Sequence, residues 1–206
     1  MNGQWVNTLP RPIAFVFSGG ASLGAIQVGM LRALDTAGIR PDLLVGTSVG
    51  ALNAAVLADR GFGAGLPALE ALWSRIRRSD IFAGSTRDQL RCLLQSGQSL
   101  FRQDHLSQLL EETLQARTFA ELRIPLGIVA TELRSRRRAL FTNGDLHPAL
   151  LASSAIPGLF PSVKIKQRRY VDGCFAANVP LTAAVEMGAA SLVVLHTGSR
   201  QPSQSS

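Results

Sequence analysis

The sequence predicts an α/β fold built on a parallel sheet, and three observations carry that prediction. Two short apolar runs, "IAFVF" at 13–17 and "DLLVG" at 42–46, are each followed by a helical pattern. The helix pattern "PLTAAVEMG" and the apolar run "SLVVLHT" repeat the alternation near the end of the chain. The chain has 206 residues, 46% hydrophobic and 17% charged, which suits one domain with a buried core.

The elements are read in chain order. Residues 1–12 are expected to form a loose tail, 13–198 a single domain and 199–206 a polar tail. After "IAFVF", the stretch "GAIQVGMLRALDTAGI" places Ile26, Met30, Leu31 and Leu34 at helical spacing, and Gly38 stops it. After "DLLVG", the helix in "SVGALNAAVLADRG" ends at Gly61. Three amphipathic helices follow, in "LPALEALWSRIRRS", "TRDQLRCLLQS" and "DHLSQLLEETLQA", the last capped by Asp104. "LGIVAT" at 126–131 returns to strand. "RSRRR" at 134–138 is a hairpin turn before "ALFTN", "HPALLASSA" a short helix, and 164–171 a strand or hairpin leading to "DGC". No internal repeat or linker divides the chain.

Charge and cysteine bound the function. The net charge is +7, and nineteen of the 21 basic residues are Arg, so partners with phosphate are chemically accessible. Basic clusters stand at Arg75, Arg77 and Arg78, at Arg134–Arg138 and at Lys164–Arg169. They read either as solvated turns or as contacts to an anionic membrane surface. No nucleic-acid motif accompanies them, so nucleic acid is not an expected partner. Cys92 and Cys174 match no metal-ligand spacing and form no disulfide framework, so no metal or other cofactor is expected. Residues 13–31 lack charge over a length that raises a membrane helix. Gly19, Gly20, Gly24 and Gly29 interrupt them, and a strand, a loop and a helix explain the stretch better. Arg11 before that run only loosely mimics a secretory signal. The expected location is cytoplasmic, peripheral to a membrane; the oligomeric state is not legible.

The chemistry centres on a serine. Gly46-Thr47-Ser48-Val49-Gly50 fits the G-x-S-x-G elbow, in which a sharp strand-to-helix turn presents a hydroxyl beside a helix N-terminus. Gly46 and Gly50 give the room that turn needs. A serine hydroxyl is a poor nucleophile without a base, and an acyl oxyanion needs fixed donors. The glycine loop "SGGASLG", with Gly19, Gly20 and Gly24, can present backbone N–H groups to an anion; no phosphate-loop pattern is present there. The base is less clear from the residues alone. Asp172 followed by His196 has the order of an α/β-hydrolase, but only one strand precedes this elbow, and His196 reads as structural. His105 reads as a surface residue. Asp172, at the end of an apolar run and followed by Gly173, is either a functional carboxylate or an ordinary Asp-Gly turn.

Taken together, three segments resemble the patatin-like phospholipase family: "SGGASLGAIQVGML", "GTSVGALNA" and "LASSAIPGLFPSVKIKQRRYVDGCFAANVP", with Asn178 and Pro180 in the last. The resemblance implies a three-layer α/β/α sandwich with a central, mostly parallel sheet. It implies a serine–aspartate dyad, with Ser48 as nucleophile and Asp172 as base, and no metal. The backbone N–H groups of Gly19, Gly20 and Ala21 would form the oxyanion hole, with Gly24 and Gly173 supporting the loops. The implied substrates are acyl esters of lipids. The chain departs from the family pattern at Ala21, in place of a third glycine, at Leu23, in place of Arg or Lys, and at Cys174, in place of Gly or Ala. Those departures keep a second class open: a weak or inactive member serving as a lipid- or partner-binding module.

Overall fold

The computed structural model describes residues 9–75 and 104–198. The helix expected in "TRDQLRCLLQS", with Cys92, Arg77, Arg78 and the C-terminal tail, lies outside the described residues, as does the side chain of Asp104.

The parallel strands are β1 (Ile13–Phe17), β2 (Leu43–Thr47), β3 (Leu126–Glu132) and, at the sheet edge, β7 (Ser191–Leu195). Every residue of β1 and β2 is buried. Helices cover both faces of β1, so it is apolar throughout instead of alternating with polar residues. Alternate side chains serve opposite layers. Ile13, Phe15 and Phe17 join a core with α1 (Gly24–Thr36), α2 (Val49–Arg60) and α3 (Phe62–Arg75), where Leu31, Leu57 and Leu69 are fully buried. Ala14 and Val16 face the other layer, with Val45, Val129 and the helix α7 (Leu181–Glu186). Each large side chain so buried contributes roughly 1.5–3 kcal/mol. The architecture is the three-layer sandwich. Among the described residues, no helix is long and apolar enough to cross a membrane.

The remaining elements are α4 (Asp104–Thr113), β4 (Arg138–Phe141), α5 (Leu146–Ser153), β5 (Val163–Ile165), β6 (Arg168–Asp172) and the short α6 (Cys174–Ala177). The sheet runs β5-β6-β3-β2-β1-β7, with β4 also on β3. Ile128 and Val129 pair with both β2 and β4. Ala130 and Thr131 pair with both β4 and β6. A strand has two edges, so β4 takes one while β2 and β6 share the other, meeting end to end. Thr47 pairs with Val129 and Asp172 with Ala130, so the two strand ends abut. This arrangement positions the site.

One face was misjudged. Ile26, expected on the packed stripe of α1, is 46% exposed, whereas Gln27 beside it is fully buried. The inner face of α1 is Gly24, Gln27, Val28 and Leu31. Gln27 is tolerated there because its amide is fully bonded, as described below. At the other end of the chain, Arg11 pairs with Asp42, and the Pro12 carbonyl accepts the N–H groups of Ala190 and Ser191.

Candidate active site

The turn from β2 into α2 is tight. Ser48 has φ 54° and ψ −127°, a conformation costly for a residue with a side chain, on the order of 1–3 kcal/mol. A Cβ on Gly46 would lie 2.6 Å from the Ala51 backbone, and one on Gly50 2.5 Å from the Ser18 carbonyl oxygen. Neither backbone neighbour can yield, so both positions require glycine. The strained turn is held from two sides. The Ser48 carbonyl accepts the N–H groups of Ala51 and Leu52. The Ser48 N–H donates to Ser153 Oγ at 2.9 Å, and that hydroxyl donates to the Val129 carbonyl at 2.6 Å. Ser153 was not singled out from the sequence. Its signal was a hydroxyl at the end of an otherwise apolar helix, in "LLASSA".

Opposite stands Asp172, at the end of β6. Ser48 Oγ donates to Asp172 Oδ2 at 2.7 Å. The serine is 6% exposed and the aspartate 1%. The Cys174 N–H donates to Oδ1 at 2.8 Å, the Asp172 N–H donates to the Ala155 carbonyl, and Thr131 Oγ1 donates to the Asp172 carbonyl. The aspartate backbone and both carboxylate oxygens are thereby fixed. Burial raises the Asp172 pKa above the ordinary carboxylate value, and the hydrogen bonds from Cys174 and Ser48 offset part of that rise. Gly173 packs so closely that a Cβ would meet the Val129 carbonyl oxygen at 2.2 Å.

Cys174 touches the same group. Burial, then the neighbouring carboxylate, pushes its thiol pKa far upward, so it stays protonated. Its sulfur occupies the space that a Gly19 side chain would need: a Cβ there would lie 2.3 Å from Sγ.

The glycine loop lies against the serine. A Cβ on Gly19 would stand 3.4 Å from Ser48 Cβ. The Gly19 N–H, expected to face an oxyanion, instead donates to the Asn178 carbonyl at 3.1 Å. The N–H groups of Gly20 and Ala21 are left without an acceptor among the described residues. Ala21 holds φ 50°, the left-handed region that glycine occupies more cheaply. Thr197 latches the loop to the end of β7: its Oγ1 donates to the Gly19 carbonyl at 2.8 Å, and its N–H donates to Ser18 Oγ at 3.0 Å. From beneath, Gln27 Nε2 donates to the carbonyls of Ser18 and Leu195. Asn53 Nδ2 donates to Gln27 Oε1 and to the Gly24 carbonyl, and Trp73 Nε1 donates to Asn53 Oδ1. A Cβ on Gly24 would collide with Val49 and Trp73. One buried polar chain thus ties the loop, the elbow helix and α3 together.

Ser48 and Ala21 also border a cavity of about 110 Å³. Its walls are almost wholly apolar, formed by Leu52, Val56, Leu72, Leu110, Ile156 and Phe160 among others. The histidines stand apart. His196, expected within the apolar terminal strand, lies exposed just beyond β7, where Nδ1 accepts the Gly198 N–H. His147 lies near Arg117, and the side chain of His105 is outside the described residues. Neither His147 nor His196 bonds to Ser48 or Asp172.

Known proteins resemble this chain at the level of family and fold. The family model described as patatin-like phospholipase matches residues 15–185. Patatin-like phospholipase domain-containing protein 7 of Rattus norvegicus is 28% identical over 91% of this chain. Lysophospholipase NTE1 of Mycosarcoma maydis is also 28% identical, and neuropathy target esterase sws of Drosophila melanogaster 26%, each over 91% of the chain. The chain spans 14%, 10% and 13% of the lengths of these three relatives, respectively. The crystal structure of VipD from Legionella pneumophila superposes with a TM-score of 0.57 over 91% of this chain and 50% of that one, at 14% identity, a likeness of fold.

Proposed function

This chain belongs to the patatin-like phospholipase family, and from that premise and its geometry we propose that it hydrolyses carboxylic esters of lipids through a Ser48 acyl-enzyme. The observation that carries the reading is the 2.7 Å hydrogen bond from Ser48 Oγ to a buried, doubly anchored Asp172. Ser48 Oγ attacks the ester carbonyl carbon as its proton passes to Asp172 Oδ2. The carbonyl oxygen becomes an oxyanion, and the N–H groups of Gly20 and Ala21 donate hydrogen bonds to it, each such donor contributing about 3–4 kcal/mol. The intermediate collapses, and Asp172 returns the proton to the departing alcohol. Water then attacks the acyl-enzyme with Asp172 again taking the proton, and Ser48 is released with the free acid. An aspartate serves as base because burial raises its proton affinity, and proton transfer of this kind contributes roughly 10²–10⁴-fold. The apolar cavity beside Ser48 suits an acyl chain.

The test is hydrolysis of a short-chain p-nitrophenyl ester by the purified chain and its Ser48→Ala and Asp172→Asn variants. Both variants lose activity on this account. An Asp172→Asn protein as active as wild type refutes the dyad.

A second reading, a lipid- or partner-binding module without turnover, draws on two observations. The Gly19 N–H is already committed to Asn178, and the Cys174 sulfur fills the space beside Gly19. A folded wild type that hydrolyses no ester, soluble or aggregated, selects it.

A further inference from the structure

We propose that the two basic hairpins beside β3 form a docking surface for an anionic phospholipid bilayer, which presents the membrane to the Ser48 site. This rests on the lipid-hydrolase reading for its purpose but not for its test. The first hairpin joins β3 to β4 and carries Arg134, Arg136, Arg137 and Arg138. The second joins β5 to β6 and carries Lys164, Lys166, Arg168 and Arg169. The fold sets them side by side: Glu132 pairs with Tyr170, and the Leu133 N–H donates to the Arg169 carbonyl at 2.8 Å.

Charge is concentrated here. Seven of the eight basic side chains are exposed, and Arg138 is half-buried. The acidic neighbours are Glu132, bonded to Arg168, Glu186, bonded to Arg138, and Asp145 in the groove below Lys164 and Lys166. That leaves an excess of five positive charges in one lip of a chain whose net charge is +7. At the junction sits Leu133, 47% exposed, lining one groove with Arg134, Arg168 and Arg169 and with Glu132, Ser135 and Gln167. An exposed apolar side chain flanked by arginines matches a bilayer interface, where the cations meet headgroups and the apolar group enters below them. A free phosphate or a nucleic acid offers Leu133 no such environment.

Placement favours the same partner. The Ala130–Asp172 pair and the Leu133–Arg169 contact are three residues apart along β3, a distance of about 10 Å. The lip therefore stands just beyond the dyad at the carboxyl end of β2 and β3. A bilayer resting on it lies within reach of the cavity beside Ser48.

The experiment is vesicle co-sedimentation of the full chain. Phosphatidylcholine vesicles, with and without about 30% phosphatidylglycerol to set a strong surface potential, are compared at low and high salt. Ser48→Ala protein is included, so that binding is read apart from catalysis. Binding to anionic vesicles only, weakened by salt and unchanged in Ser48→Ala, is expected. The triple variant Arg134→Glu, Arg136→Glu, Arg137→Glu should bind roughly tenfold or more weakly. Lys164→Glu with Lys166→Glu, on the other hairpin, should act in the same direction. Both should keep the circular-dichroism spectrum and thermal unfolding of wild type, which shows that they fold whether or not the chain hydrolyses esters. Charge-reversed variants that bind like wild type, or equal binding to neutral vesicles, overturn the proposal. So does binding of an RNA oligonucleotide under conditions where anionic vesicles do not bind.

Discussion

Thr47 and Asp172 meet head to head on one edge of β3, paired with Val129 and Ala130 respectively. β2 arrives from one direction and β6 from the other. The residue after Thr47 is Ser48, so the end of one strand supplies the hydroxyl and the end of the other the carboxylate. The 2.7 Å contact between them follows from sheet register and does not depend on a flexible loop.

The buried carboxylate sets two opposite pH dependences. Burial raises the Asp172 pKa above 3.8, so ionisation opposes folding. The contribution of this group to stability is fully present below the unfolded pKa and is lost as pH rises through the folded one. Asp172→Asn removes that loss. Its stability relative to wild type should therefore increase from acid towards neutral pH and then level off, as read by urea denaturation across a pH series. Hydrolysis runs the other way, because the base must be ionised. The acid limb of kcat/KM should lie above the ordinary carboxylate range.

The consecutive serines at 153 and 154 should behave differently. Ser153→Ala leaves the Ser48 N–H and the Val129 carbonyl without their partner, at a cost of about 1–3 kcal/mol. It also frees a strained nucleophile, and ester hydrolysis should fall roughly tenfold or more. Ser154 Oγ is buried with no hydrogen-bond partner. Ser154→Ala should leave thermal stability unchanged or raise it.

Gln27 is an amide in a core. Gln27→Met keeps the length but abandons the Ser18 and Leu195 carbonyls and the Asn53 amide. Stability should drop by about 2 kcal/mol or more in urea denaturation. Since the glycine loop hangs on Ser18, kcat should fall more than KM rises.

Ala21 sits where glycine is cheaper. Ala21→Gly relieves a left-handed φ of 50° and should stabilise the chain by about 0.5–1 kcal/mol, with hydrolysis retained because the N–H remains.

Much of this was legible in the residues. The apolar runs marked β1, β2 and β3 because strands covered on both faces carry few polar residues, whereas the apolar run that marked β7 lies at the sheet edge with Leu192 and Val194 exposed. Gly46 and Gly50 marked the elbow because a Cβ there meets backbone. Asp172 alone could not be told from an Asp-Gly turn, since its role depends on a register between β3 and β6 that local sequence does not encode. Gln27 and Ser153 were missed for a related reason: each looks like a polar residue that belongs in solvent, and only the third dimension supplies its partners. The commitment of the Gly19 N–H to Asn178 joins positions far apart in sequence and has no local signature.

The central claim is that Asp172 activates Ser48, and the most direct measurement is the rate and site of fluorophosphonate labelling, followed by intact mass and peptide mapping. The account predicts a single adduct on Ser48, none on Ser48→Ala, and labelling of Asp172→Asn slowed by roughly 10²-fold or more. An adduct on another serine, or Asp172→Asn labelled as fast as wild type, would contradict it.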